Sequence, residues 1–145
     1  MPADKTSERR NAARQQIEHM LAERRQLLAL LLQASNLDTG GRESQDEELL
    51  EEFCEVLVDY VAAGHFGLYE RIAKGKERRM DVASIAKSIY PQIEQSTQQA
   101  LKFSEKYSAD NKCHDANLTN DLSSLGVTLA TRIELEDQLI VKILG

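Results

Sequence analysis

Three histidines, two cysteines and a surplus of carboxylates are the residues in this chain whose types could do chemistry. Carboxylate-bridged di-metal bundles need a glutamate from each of two helices and a Glu-x-x-His pair from each of the others. His19, His65 and His114 each lack a glutamate three positions earlier. His65 and Glu70 are five apart, off one helical face, while Glu134 and Asp137 are three apart without a histidine. A metal-binding or redox bundle built around His65, Glu70 and Glu136 is the form such chemistry would take here. The plainer reading is a core histidine beside a solvated acidic cluster. No GxSxG, phosphate-cradling glycine loop or HExxH occurs. Cys54 lies in an apolar stretch, where a thiol is usually structural, and Cys54 and Cys113 lack CxxC spacing, so two inert thiols are expected. The residue types favour a binding protein, not an enzyme, and require no cofactor.

Two charged residues break the local pattern. Glu136 stands on an apolar stripe where a leucine would fit between Ile133 and Ile140, and Arg24 stands similarly between Leu21 and Leu28. Buried ions need partners. The expectation is a hydrogen-bonded network of Arg24 and Glu136 with the polar groups Asp59, His65 and Glu70.

The elements that must position these residues are helices. Only seven glycines and two prolines among 145 residues leave little turn chemistry for strands. A first helix is predicted over about Glu8–Ala34, its stripe at Ile17, Met20, Leu21, Leu27, Leu28 and Leu31; residues 1–14 lie before that stripe and are expected to be frayed or disordered. Ser44 followed by Glu47 forms a capping box that opens a second helix, running to about Ile72 and apolar on more than one face. Gly64 and Gly67 inside it each cost about 1 kcal/mol relative to alanine, which points to close packing, a bend or a docking surface. A third helix, about Met80–Tyr107, is expected to kink or restart at Pro91. A fourth covers about Ala116–Leu144 with Leu118, Leu122, Leu125, Leu129, Ile133, Ile140 and Ile143 on one stripe. The fold class is therefore all-α, an up-down four-helix bundle with a kinked third helix, and 1–145 reads as a single domain.

Charge narrows the partner. The net charge is −6, yet residues 34–73 alone carry ten acidic and two basic groups. Such a segment repels phosphate backbones and attracts basic protein surfaces. A solvated acidic helix start explains Glu43–Glu52 equally well. The basic run KGKERR (Lys74–Arg79) has no interleaved aromatics, so direct nucleic-acid binding is not expected. No signal-peptide core and no membrane-length apolar run is present, so a cytoplasmic protein is expected.

The string FCEVLVDYVAAGHFGLYERI (Phe53–Ile72) resembles the Rsd/AlgQ family, regulators that bind the primary, sigma-70-type sigma factor of bacterial RNA polymerase. The likeness continues in YPQIEQSTQQAL (Tyr90–Leu101), in LSSLGVTLATRIELEDQLI (Leu122–Ile140) and, more loosely, in IEHMLAERRQLL (Ile17–Leu28). The resemblance implies a helical bundle that holds the sigma factor's C-terminal helix-turn-helix domain, which reads the −35 element, and so lowers its availability to polymerase. It further implies that Asp59 faces a sigma arginine and that Ala62, Ala63 and Phe66 supply the apolar part of the contact. An internal salt bridge from Asp59 to Arg24 or Arg132 is the competing reading. Met20 and His19 stand where relatives carry tryptophan and arginine, leaving less aromatic area on that part of helix one. From the residues alone, an interaction module for another bacterial regulator also remains open.

Overall fold

A computed structural model describes residues 2–35, 44–69, 72, 79–108 and 116–145. Four helices account for nearly all of them: α1 (Pro2–Ser35), α2 (Ser44–Ala62), α3 (Met80–Tyr107) and α4 (Leu118–Leu144), with a π-helical segment, Ala63–Tyr69, continuing directly from α2. Among the described residues there is no strand. Each helix packs against its neighbours in sequence, and α1 also packs against α4, closing a four-membered ring; the diagonal pairs α1/α3 and α2/α4 are not adjacent.

Cross-helix contacts give the directions. Phe53 meets Phe103 edge-on at 5.7 Å, whereas His65 meets Tyr90 at 5.5 Å, so numbers rise along α2 as they fall along α3. The Lys106–Asp121, Gln99–Thr128 and Thr97–Arg132 bonds show the same antiparallel relation between α3 and α4. Up-down-up-down topology follows, as short connections between long helices dictate.

The core is aliphatic with a few aromatics, including Leu27, Phe53, Leu57, Tyr60, Val82, Ile93 and Leu129, all at most 1% exposed. The α4 stripe is largely as its spacing predicts, with one shift: Leu139 is buried, while Ile133 and Ile143 are only half-buried. The expected restart at Pro91 does not occur. α3 runs unbroken across it, with Pro91 and Lys87, the residue whose carbonyl loses its helical donor, both exposed. The second helix keeps its path past Ala62 but changes its hydrogen-bond register there, a feature that apolar spacing does not encode. No helix among the described residues is long and apolar enough to cross a membrane.

Candidate functional site

Where the four helices meet, the core is ionic. Glu136 is completely buried. Its Oε1 accepts from Arg24 Nη2 at 3.1 Å and from the Tyr60 hydroxyl, and its Oε2 accepts from Arg132 Nε at 3.2 Å. Arg24 also donates to Asp137 Oδ1 at 2.8 Å and to Tyr60 Oη at 3.2 Å. Arg132, 1% exposed, spends Nη1 on Thr97 Oγ1 (2.8 Å) and Ser96 Oγ (3.0 Å), and Nη2 on the Val61 carbonyl at 3.2 Å. Through two guanidinium groups the network reaches α1, α2, α3 and α4. Burial, and then the adjacent Glu136 charge, push the Tyr60 hydroxyl well above the usual tyrosine range, so it stays a donor.

The structure brings Arg24 and Glu136 together and leaves Asp59 and His65 outside their hydrogen bonds. Glu70 lies outside the described residues. Sequence reasoning missed Arg132, Tyr60, Asp137, Ser96 and Thr97 as members. One signal was available: Arg132 is four residues before Glu136, so the two share a helix face. The metal reading around His65 and Glu136 meets a physical obstacle, because both oxygens of Glu136 are engaged by guanidinium groups that repel a cation. No group of three or more His, Cys, Asp or Glu side chains among the described residues is placed to hold a metal ion.

The two glycines have different neighbours. A Cβ at Gly64 would lie 2.9 Å from Arg132 Nη2 and 3.3 Å from Glu136 Oε2, so Gly64 lets the helix backbone sit directly on the ionic cluster. A Cβ at Gly67 would meet only the Gln16 side-chain amide, whose end can swing away. Beside them His65 packs edge-on against Phe66 at 4.7 Å and tilted against Tyr90 at 5.5 Å. Phe66 is 66% exposed, unusual for a phenylalanine, and Ala62 and Ala63 are half-buried.

On the surface above this cluster an open cleft of about 460 Å³ runs between α1 and α2, lined by His19, Glu23, Gln26, Val56, Asp59 and Ala62. Asp59 is exposed and forms no ion pair among the described residues; Arg24 and Arg132, its suggested internal partners, are taken by Glu136 and Asp137. Opposite it, one Glu23 oxygen pairs with His19 Nε2 at 2.5 Å, while Oε2 is buried with no hydrogen-bond partner among the described residues. Tyr60, adjacent to Asp59 in sequence, points into the core instead. The outer ridge of α2 carries Glu48, Glu52, Glu55 and Asp59, all exposed and spaced by four, three and four residues, hence on one face. The geometry offers carboxylates over an apolar floor, suited to holding a basic side chain.

A family model described as regulator of RNA polymerase sigma(70) subunit, Rsd/AlgQ, matches residues 2–144. The chain is similar to the regulator of sigma D of Shigella dysenteriae serotype 1 (strain Sd197), 35% identical over 145 residues that span 97% of this chain and 91% of that protein. It is similar to the same degree, over the same shares, to the regulator of sigma D of Escherichia coli O139:H28 (strain E24377A / ETEC). No solved structure matches the chain.

Proposed function

Because the chain belongs to the Rsd/AlgQ family of regulators of the RNA polymerase sigma(70) subunit, we propose that it binds the primary sigma factor through that factor's C-terminal promoter-recognition domain. In this reading it is a cytoplasmic binding protein that sequesters sigma without catalysis, reducing what is available to core polymerase. The observation that carries the reading is the α1/α2 cleft, where Asp59 is exposed without an ion-pair partner among the described residues. A helix-turn-helix domain presents basic side chains to DNA. An arginine from it, placed over Val56 and Ala62, would meet Asp59, with Ala63 and Phe66 adding apolar contact on the following turn. The acidic ridge Glu48–Glu52–Glu55 would speed encounter more than it tightens the complex, and its influence should fade with salt.

Titration against the purified C-terminal domain of the primary sigma factor tests this directly. Asp59→Asn is expected to weaken binding by about 2 kcal/mol, roughly thirtyfold, with helical content unchanged. Unaltered affinity would remove Asp59 from the contact, and no binding by the parent chain would overturn the reading itself.

A further inference from the structure

The π-helical segment Ala63–Tyr69 needs an explanation of its own. π-helix is rare, occurs mostly as single-turn bulges in α-helices and is frequent at functional sites. Here it spans seven residues and begins at the edge of the cleft, immediately after Ala62. At the α-to-π junction the backbone ladder changes from i→i+4 to i→i+5, so successive amides converge on one carbonyl and the carbonyls beside it tilt away from the helix axis. Arg132 meets the backbone at that point: its Nη2 reaches diagonally across the bundle to the Val61 carbonyl at 3.2 Å, two residues before the segment starts.

That guanidinium has no freedom. Nε is held by Glu136, Nη1 by Ser96 and Thr97, and the side chain is wholly buried. Gly64 lies flat against it, with no room for a Cβ. The register change is thus clamped from the centre of the bundle, through α3 and α4, and not from the surface. An α-helical path through the same residues would shift the register by one and turn each downstream side chain by about 100°. Phe66, now 66% exposed and braced by His65, would leave its present direction.

We propose that Arg132 is a positioning residue for partner binding: its bond to the Val61 carbonyl fixes the π register of Ala63–Tyr69 and so displays Phe66 beside the Asp59 cleft. The proposal rests on the sigma-binding reading for its partner, whereas the clamp itself is a property of the free protein. Two measurements therefore separate them. Arg132→Lys keeps a cation beside Glu136 but cannot span from there to Val61 and to the Ser96–Thr97 hydroxyls together. In the free variant, amide exchange across 63–69 is expected to accelerate at least about tenfold, with exchange in α1 and in α3 away from Ser96 and Thr97 unaltered. Phe66→Ala is expected to cost about tenfold in affinity for the sigma C-terminal domain in the parent chain and less than about twofold in the Arg132→Lys background.

Unchanged exchange in 63–69 overturns the clamp whatever the binding data show. Equal losses on Phe66→Ala in both backgrounds overturn the link between clamp and display. Accelerated exchange with no effect of Phe66→Ala in the parent chain overturns the partner surface instead, and with it the role assigned to Arg132 in binding. Should Arg132→Lys fail to fold, Thr97→Val removes one anchor of the same guanidinium while keeping the ion pair, and is read by the same two measurements.

Discussion

Replacing Glu136 by glutamine would remove the one fully buried negative charge among the described residues and leave its shape. Arg24 would keep Asp137 at 2.8 Å and a share of solvent, since its side chain is 11% exposed. Arg132, with a side chain at 0% exposure, would keep only neutral acceptors: Ser96, Thr97 and two backbone carbonyls. Removing one partner of a buried ion pair typically costs about 3–5 kcal/mol. The amide oxygen of glutamine still accepts one hydrogen bond, which places Glu136→Gln near about 3 kcal/mol. With a urea slope of about 2 kcal/mol/M for a chain this size, the unfolding midpoint should fall by about 1.5 M. The companion variant replaces Arg24, Arg132 and Glu136 together with methionine, methionine and leucine; it is expected to lose less than Glu136→Gln, because desolvation of three ions is no longer required, although the Tyr60 hydroxyl and the Val61 carbonyl each lose a partner. Urea titration followed by far-ultraviolet circular dichroism measures both. A Glu136→Gln midpoint within about 0.3 M of the parent would mean that water or rearrangement satisfies Arg132, and the closed network described above would be wrong.

Other expectations follow from the same geometry. Gly64→Ala should destabilise by about 2 kcal/mol or more, because the added methyl meets a locked guanidinium at 2.9 Å, whereas Gly67→Ala should be neutral or slightly stabilising as Gln16 swings aside; thermal melts of the two variants should differ in sign or by several degrees. Cys54 is 2% exposed and burial pushes its thiol up to about 11, so at pH 8 a thiol reagent should modify it only as the protein unfolds; peptide mass spectrometry showing labelling at the rate of a free cysteine would contradict its placement. Burial, and then a hydrogen bond to Asp121, push Tyr107 up to about 12, and burial raises Tyr60 as well. For both, the folded value lies above the unfolded one, so their stabilisation is complete below about pH 10 and is lost as pH rises through the folded values. The urea midpoint should accordingly drop between about pH 10 and pH 12; a flat profile would show that neither hydroxyl is held as described.

Helix number, order and most boundaries were legible because apolar spacing and sparse glycine and proline leave few alternatives. Leu118, Leu122, Leu125 and Leu129 declare their face by period alone, and Arg24 and Glu136 announced themselves by violating one. What stayed hidden was the change of register after Ala62, since spacing along a strand of sequence reports which residues are apolar and not which carbonyl bonds to which amide. Arg132 was hidden for a related reason. Its partners, Val61, Ser96 and Thr97, come from helices that only the closed bundle brings to it, and Ser and Thr in an amphipathic helix look like ordinary surface residues. Asp59 was found through a family likeness; that it forms no ion pair among the described residues follows from Arg24 and Arg132 being occupied, which only the packed bundle reveals.

The span of the ionic cluster also bears on how the protein is made. Arg24 enters on the first helix, yet Glu136 and Asp137, the carboxylates that neutralise it, come 112 and 113 residues later on the fourth. A helical hairpin of α1 and α2 emerging from the ribosome would bury a cation with only a tyrosine hydroxyl to meet it, a state with little to recommend it over an open one. Most up-down bundles can assemble by successive local hairpins. In this one the carboxylates that neutralise Arg24 arrive with the last helix, so the ionic centre closes only after α4 has joined the other three.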